Sequence, residues 1–352
     1  MLRRVAILLL FCTSLFANGF RASINEKEVR VNLETKSFFQ NNEFETNFTK
    51  GKTITGLQLL PFLSFGNQRD YETKLGVFVQ KYSSVDKVSQ SNLFFSTSVF
   101  PTNNTQILLG SYFEAEDFIA PLYSYEHQLT DRQKEGVLIK KNRKSADYSL
   151  WLDWRNFIFQ GSSFQEEFTV GFSRQKTSRF NRRVFIPLQL LIIHAGGEID
   201  TSEKPKKTTF NPVVGLSFSP SPHLLLENYF LSYIDGSNQK SVQISKGEAL
   251  FSRIIAKRKF SKTELFFFYA DRFYSEFGDP LFWSFSQNLQ NLEKQRRRNV
   301  GINLSFERKI TDDVNYSVKL NSNYDLVQSC LNYSYGIYID YDLSHQIVGI
   351  GK

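Results

Sequence analysis

Polar side chains that could hold a ligand occur close together in the middle of the chain. They are Trp151, Asp153, Arg155, Glu167 and Gln189, on three segments whose polar and apolar positions alternate. In an extended strand every second side chain points to the same face. If the three strands are neighbours, these side chains line one interior surface, where both charge signs and an indole could orient a sugar or another polar solute. The alternative is an ion-pair network that fills the interior.

His194 is the one candidate for acid–base chemistry. It precedes a glycine pair, Gly196 and Gly197, and Ser173 is the nearest serine on a predicted neighbouring strand. Nucleophilic catalysis needs the serine and the base within hydrogen-bond distance, and the chain has no nucleophile-elbow motif. The four histidines show no metal-ligand spacing. We therefore predict no catalytic residue, no metal and no cofactor, and we keep His194 for an alternative in which the protein modifies lipids.

The clearest structural signal is the alternation from Leu331 to Leu343. Odd positions are almost all large and apolar or aromatic, and even positions are small or polar except for Tyr338. This period of two predicts a long strand with one apolar face. Residues 300–307 and 314–321 repeat the pattern and are joined by a short polar turn, which predicts an antiparallel meander.

Met1 to Ala17 has the features of a secretory signal peptide. Arg3 and Arg4 precede an apolar run, and Ala17 is a small residue before the expected cut. Cys330 is the one cysteine beyond that segment, because the chain has two and the other is Cys12. An intrachain disulfide in the mature chain is therefore excluded.

The composition excludes a bundle of transmembrane helices. After the signal segment no run of about 18 apolar residues occurs, and the 35 phenylalanines and 16 tyrosines favour strands. A walk along residues 18–352 finds about 14 to 16 strands, starting with a hairpin of Glu43–Phe48 and Thr53–Phe65. Residues 18–42 are also open to interpretation as a periplasmic segment. Glu114–Glu135 is the least strand-like stretch, which indicates a long loop or an insert folded inward.

In these features the chain resembles the porin-like outer-membrane β-barrel proteins of Gram-negative bacteria. The resemblance depends on the signal segment, on alternation such as that of Tyr333 to Ile337, and on the absence of helices and disulfides. It implies an all-β fold, a single antiparallel up-and-down transmembrane β-barrel, placed in the outer membrane by the barrel-insertion machinery. It also implies contact with outer-membrane lipids and lipopolysaccharide.

The C-terminus departs from the pattern of such barrels. It reads Gly349-Ile350-Gly351-Lys352, where these proteins usually have a final aromatic residue. Gln346–Lys352 is interpreted as a short closing strand that follows a turn at residues 342–345.

Charge and motifs together favour transport. The formal net charge is +8, and the lysine and arginine clusters lie at predicted strand ends. There they fit anionic lipid headgroups better than nucleic acid, which an exported chain seldom meets. We predict a porin-like channel for small polar solutes, with no enzymatic activity. The alternatives are an outer-membrane lipid-modifying enzyme that uses His194 and a non-conducting barrel that serves as a surface or assembly scaffold.

Overall fold

The computed structural model describes residues 27–113, 118–176, 183–202, 204–237, 245–284 and 296–350. The predicted signal peptide, residues 1–17, lies outside the described residues. The strands are β1 Lys27–Glu43, β2 Thr53–Gly66, β3 Tyr71–Tyr82, β4 Gln90–Thr102, β5 Thr105–Phe113, β6 Gln133–Asn142, β7 Ala146–Asn156, β8 Glu167–Lys176, β9 Val184–Phe185, β10 Leu188–Ala195, β11 Lys207–Ser221, β12 Leu224–Asp235, β13 Lys246–Lys257, β14 Ser261–Asp271, β15 Arg296–Lys309, β16 Val314–Asp325 and β17 Cys330–Ile350.

The strands form one closed antiparallel barrel. Each strand pairs with its neighbours in sequence, and β1 pairs with both β2 and β17, which closes the ring. Of the seventeen segments, β9 and β10 are two parts of one wall strand, interrupted by Ile186 and Pro187, so the wall has sixteen strands. The prediction of a single up-and-down barrel with about 14 to 16 strands is confirmed.

The outer face of the barrel is apolar, as the alternation predicts. On β17, Leu331, Ile337 and Leu343 are each 43% exposed, whereas the intervening Asn332 and Tyr338 are 1% and 2% exposed. Tyr338, the one bulky residue among the small and polar positions, donates a hydrogen bond inside the barrel to Gln40 Oε1 at 2.8 Å. Among the described residues no helix is long and apolar enough to cross a membrane.

Both ends of the chain differ from the prediction. The first strand is Lys27–Glu43 and not Glu43–Phe48, so residues 27–42 belong to the barrel wall and not to a periplasmic segment. Their alternation is weak because polar residues occur on both faces. Residues 342–345 form no turn, since β17 runs unbroken for 21 residues and pairs with β1 along its length.

The two ends of the barrel have connections of different length. Residues 103–104 and 222–223 are tight turns at the end that also carries both chain termini. The longest connections, residues 114–132 and 272–295, lie at the opposite end. In outer-membrane barrels the short turns are periplasmic and the long loops extracellular. We use this rule to orient the molecule.

The interior is not uniformly polar. A large cluster of buried apolar side chains lies within the barrel, and Trp151, Leu191, Tyr229, Phe251 and Phe268 belong to it. The connection between β5 and β6 folds into this cluster and carries one short helix, α1 (His127–Thr130). The described part of Glu114–Glu135 is therefore an inward-folded insert, one of the two possibilities that the sequence predicts.

Candidate functional site

The insert crosses the lumen from one wall to the other. We call residues 118–132 the crossing segment. Near its start, the Ile119 N–H donates to Gln189 Oε1 on β10 at 3.2 Å. Near its end, Gln58 of β2 and Gln80 of β3 donate through their side-chain amides to the carbonyls of Gln128 and Leu129, at 3.1 and 2.9 Å. Because these bonds reach strands far apart around the wall, the segment is fixed at both ends.

A second loop folds inward and meets the crossing segment. Between β14 and β15, the Phe277 carbonyl accepts a bond from the Ser124 N–H at 2.6 Å, and the Asp279 N–H donates to the Ala120 carbonyl at 3.0 Å. The rings of Tyr123 and Phe277 stack with centroids 5.4 Å apart. The two loops therefore form one body inside the barrel at the extracellular end.

A cavity of about 740 Å³ lies between these two loops and the wall formed by β13 to β17 and β1. We call it the main cavity. Its wall side is made of small polar side chains, together with charged residues of both signs. The wall contributes Lys36, Gln40, Asn303, Ser305, Asn315, Ser317, Lys319, Asn321, Ser334 and Asp340, and the loops contribute Lys50, Lys52, Ser124, Glu126, His127, Glu276 and Asp279.

His127 is the residue of this cavity best suited to proton transfer. Its ring lies 4.9 Å from the Tyr123 ring and 5.1 Å from the Phe277 ring. Burial, followed by the nearby positive charge of Lys134, lowers the pKa of His127 to about 4. The Phe277 backbone carbonyl acts in the opposite direction on this pKa, because it favours the protonated ring. A neutral imidazole has one N–H and one ring nitrogen whose lone pair can accept a proton.

Two acidic groups flank His127 in the lining. Glu126 pairs with Lys52, and its other carboxylate oxygen accepts a bond from Asn42 Nδ2 at 3.4 Å. Asp279 caps a short 3-10 helix and accepts a bond from the Leu281 N–H at 3.0 Å. Burial raises the pKa of Asp279 to about 6, and the charge of Glu126 acts in the same direction.

We call the group of Asn42, Lys52, Glu126, His127 and Asp279 the junction site. It unites the β1–β2 loop, the crossing segment and the β14–β15 loop. Within the parts of the chain that the structure describes, no three His, Cys, Asp or Glu side chains are grouped so that they could hold a metal ion.

Two of the five residues singled out from the sequence form charged contacts behind His127. Asp153 accepts a bond from the Glu135 N–H at 3.0 Å and lies 3.6 Å from Lys134 Nζ. Lys134 also binds Asp131 of the crossing segment at 2.8 Å. The guanidinium of Arg155 lies 5.0 Å from the Phe277 ring. This network fixes the end of the crossing segment.

The other three predicted residues are placed differently. Trp151 is 1% exposed and meets the Phe118 and Tyr123 rings edge-on, at 6.0 and 6.3 Å. Gln189 holds the start of the crossing segment, as described above. Glu167 is at the first position of β8, opposite Ala195. Trp151, Asp153, Arg155 and Gln189 therefore support the crossing segment, while other residues provide the lining of the main cavity.

His194 lies on the outer face of the wall. It alternates along β10 with the buried Leu191 and Ile193, its ring is 4.9 Å from the outward-facing Phe168, and its Nδ1 is 2.9 Å from Thr208 Oγ1. Ser173 is 1% exposed and faces the interior. The structure therefore does not bring Ser173 and His194 together.

His127 is not among the residues predicted from the sequence. Its one available signal was its position in the least strand-like segment, directly after Glu126. Nothing in the alternation of the strands shows that this segment turns into the lumen and meets residues 277–279.

The comparisons with known proteins give a family and a fold. A family model described as lipid A 3'-O-deacylase-type matches residues 21–350. The fold is similar to OmpTdeltaL8, a loop-deletion mutant of an outer membrane protein of Vibrio cholerae, with a TM-score of 0.51, 10% identity and coverage of 90% of this chain and 99% of the other. Pseudomonas aeruginosa OpdL matches with a TM-score of 0.51, 8% identity and coverage of 90% and 99%. Pseudomonas putida OprB matches with a TM-score of 0.50, 9% identity and coverage of 90% of this chain and 94% of the other.

A search of curated protein sequences finds no match to this chain. The structural likenesses establish an outer-membrane β-barrel fold and nothing about activity, because the identities are low. The family match does bear on activity. The prediction that the protein is not an enzyme is wrong, because the matched family is one of deacylases. The family match supports instead the alternative of an outer-membrane lipid-modifying enzyme.

Proposed function

Since the chain belongs to the lipid A 3'-O-deacylase-type family, we propose that it hydrolyses an acyl ester of lipid A at the junction site. The observation that supports this most directly is His127. It lines the main cavity, and its low pKa keeps the ring neutral at pH 7. A neutral imidazole with an available lone pair is a general base.

The proposed reaction needs His127 and a water molecule. The base nitrogen of His127 takes a proton from water as the water oxygen attacks the ester carbonyl carbon. The tetrahedral intermediate then loses the sugar oxygen, which receives the same proton from His127, and the products are a free fatty acid and a sugar hydroxyl. Lys52 and Asn42 hold Glu126, the residue before His127, and thereby fix the start of α1.

The position of the site suits a lipid of the outer leaflet. The junction site lies at the long-loop end of the barrel, which the orientation rule places outside the cell. Lipid A lies in the outer leaflet of the outer membrane. We therefore infer that the protein acts in the outer membrane of a Gram-negative bacterium. Its export by the predicted signal peptide and its delivery by the insertion machinery remain predictions.

The test compares two histidines of the same chain. His127→Gln should lower the rate of fatty acid release from lipid A in vesicles by about 10²- to 10⁴-fold, the usual contribution of a general base. His194→Gln, on the outer face, should leave the rate unchanged. Heat-modifiable gel mobility confirms that both barrels are folded. Full activity of folded His127→Gln would refute the assignment of the base.

A channel function is a second candidate, and the main cavity favours it. Its small polar wall residues extend from Asn332 near the long-loop end to Glu307 and Asn315 near the short-turn end. Such a surface could pass small polar solutes beside the crossing segment. Planar-bilayer conductance of the purified protein tests this, and the absence of ion current at any voltage would reject it. A scaffold role would give neither current nor fatty acid release.

A further inference from the structure

The wall of the barrel is incompletely paired between β4 and β5. Their ladder runs from Thr102 opposite Thr105 up to Ser96 opposite Gly110 and then stops. β4 continues to pair with β3 beyond this point, and β5 continues to pair with β6. Residues 93–95 therefore face residues 111–113 without a backbone ladder. At about 3.4 Å per residue this seam is about 10 Å long.

Gly110 causes the two strands to separate. Its φ is +108°, a conformation that favours glycine, and a Cβ at this position would be 2.1 Å from the Phe95 carbonyl oxygen. The alternation of β5 also changes there, because Leu108 and Ser111 both line the interior although they are three residues apart. The bend is therefore built into the strand.

Side chains replace the missing backbone bonds. The Phe95 N–H donates to Ser111 Oγ at 3.2 Å, and Gln133 Nε2 donates to the Leu93 carbonyl at 3.0 Å. In a bilayer an unpaired backbone group is costly, so these two bonds are what allows the seam to exist in the wall. Opening it requires the movement of two side chains and not the rupture of a strand pair.

The seam lies at the end of the barrel that faces the outer leaflet, because β5 leads into the crossing segment. Its outer rim is apolar, with Leu93 64%, Phe95 48% and Leu109 57% exposed. Behind it is a second cavity of about 150 Å³, which we call the seam cavity. Cavities of about this size can hold a benzene-sized apolar molecule.

The lining of the seam cavity is mixed. Leu60, Phe94, Leu108, Phe113 and Leu138 provide apolar surface. Ser96, Ser98, Gln106, Ser111, Glu34, Lys74 and Lys140 provide polar groups. A lining of both kinds suits the part of an acyl chain close to its ester better than the methyl end.

We propose that the seam between β4 and β5 admits an acyl chain of the lipid substrate from the outer leaflet into the barrel wall. The inference rests on the proposed deacylase function and adds the route by which the substrate reaches the interior. The occupant is an acyl chain because the rim is apolar and faces the bilayer.

The seam is connected to the junction site through the crossing segment. The Arg132 guanidinium lies 4.0 Å from the Phe113 ring and donates to Gln58 Oε1 at 3.3 Å. Gln133, the next residue, closes the seam, and α1 with His127 ends at Thr130, two residues before Arg132. Movement of an acyl chain past Phe113 would therefore act on the segment that carries the base.

The experiment closes the seam with a disulfide. Phe94→Cys and Ser111→Cys are combined in a Cys330→Ser background, since both side chains line the seam cavity and Ser111 Oγ lies 3.2 Å from the backbone nitrogen of the next residue, Phe95. Oxidation should lower fatty acid release from lipid A in vesicles by about tenfold or more, because substrate access then limits turnover. A reductant should restore the rate. Hydrolysis of a short water-soluble ester, which reaches the junction site from the mouth, should stay unchanged.

The matched control places a disulfide on the intact ladder beside the seam. Leu75 and Phe95 are register partners on β3 and β4, so the control is Leu75→Cys with Phe95→Cys. Oxidation of this pair should change neither the rate of fatty acid release from lipid A nor the rate of hydrolysis of the short ester. A closed seam disulfide with unchanged release from vesicles, or with equal loss on both esters, would overturn the proposal. If thiol titration shows that the disulfide does not form, Ser98→Phe, which fills the seam cavity, is judged by the same two assays.

Photolabelling separates this proposal from the proposed function. Lipid A with a photoactivatable acyl chain should label residues 93–113 of the wild-type protein and not those of the oxidised seam variant. Labelling without any hydrolysis would reject the deacylase function and keep the seam as an acyl-chain site. Hydrolysis without labelling at the seam would reject the seam as the entry route and keep the deacylase function. Labelling by a phospholipid probe that lipid A does not displace would also reject the seam as a site for the substrate.

Discussion

The two sides of the barrel lumen are lined by different kinds of residue. From β5 to β14 the interior carries large side chains, such as Trp151, Tyr229 and Phe268, and the crossing segment packs on them. From β15 through β17 to β1 the interior carries Asn303, Ser317 and similar short polar residues, and the main cavity lies beside them. Both sides are built from antiparallel strands.

This difference shows what decides whether a barrel is filled or open. A sixteen-stranded wall leaves space that side chains of ordinary size cannot fill. On the first side, aromatic residues and an inserted loop fill it and bury apolar area. On the other side, short polar residues leave a cavity whose lining can meet water. The junction site lies at the border, where His127 is held by packed rings and still reaches the cavity.

The largest expected effect concerns a fully buried ion pair on the open side, where most of the lining residues are short and polar. Arg297 and Asp325 form an ion pair at 2.8 Å with both side chains fully buried, and the Arg297 guanidinium also lies 3.7 Å from the Phe48 ring. Asp325→Ala leaves the arginine charge without a partner and should lower the free energy of unfolding by about 3–5 kcal/mol. Urea unfolding measures this.

The control for this prediction is Asp340→Ala. Asp340 pairs with Lys36 at 2.9 Å, but its side chain is 26% exposed, so the loss should be about 1 kcal/mol or less. Equal losses of unfolding free energy for the two variants would contradict the prediction that the buried Arg297–Asp325 pair stabilises the open side more than the exposed pair does.

A somewhat smaller effect compares the two sides directly. Trp151→Ala removes a fully buried indole from the packed side and should lower the free energy of unfolding by about 3 kcal/mol. Asn321→Ala on the open side should change it by no more than about 0.5 kcal/mol, since Asn321 is exposed to the cavity. Comparable losses at both positions would contradict the division of the lumen into two sides.

The smallest effect concerns the border itself and is measured as a pH profile. Because the pKa of His127 is lowered to about 4, the base form predominates above that pH. The value of kcat/KM should be constant between about pH 6 and 8 and fall as the pH decreases through about 4. Lys134→Met removes a positive charge that lowers this pKa, so the acidic limb should move to higher pH. An unchanged limb would exclude His127 as the titrating group.

Much of the fold could be predicted from local pattern. The alternation from Leu331 to Leu343 depends only on the period of an extended backbone, and a bilayer allows strands to span it only in a closed barrel. β1 was missed because Thr35, Ser37 and Asn41 interrupt the apolar face that Val31 and Leu33 begin. Its place in the wall is fixed by pairing with β17, a partner about 300 residues away.

The candidate site shows the limit of such reasoning. His194 and Ser173 lie on predicted adjacent strands, yet they face opposite sides of the wall. Asp153 and Gln189 were predicted to line the lumen. Gln189 bonds to the crossing segment, Asp153 lies beside Lys134 of β6, and neither lines the main cavity. A strand pattern gives the face of each side chain. It does not give what is packed against that face.

The amino-acid sequence by itself determined that this chain builds a barrel with an apolar outer surface, because periodicity and membrane physics act on each strand locally. The tertiary structure decided which histidine can act as a base, which side of the lumen is open and where the wall has a seam. These features depend on contacts between residues far apart in the chain, such as Gln58 with Gln128 and Ser124 with Phe277. No local pattern encodes those distances.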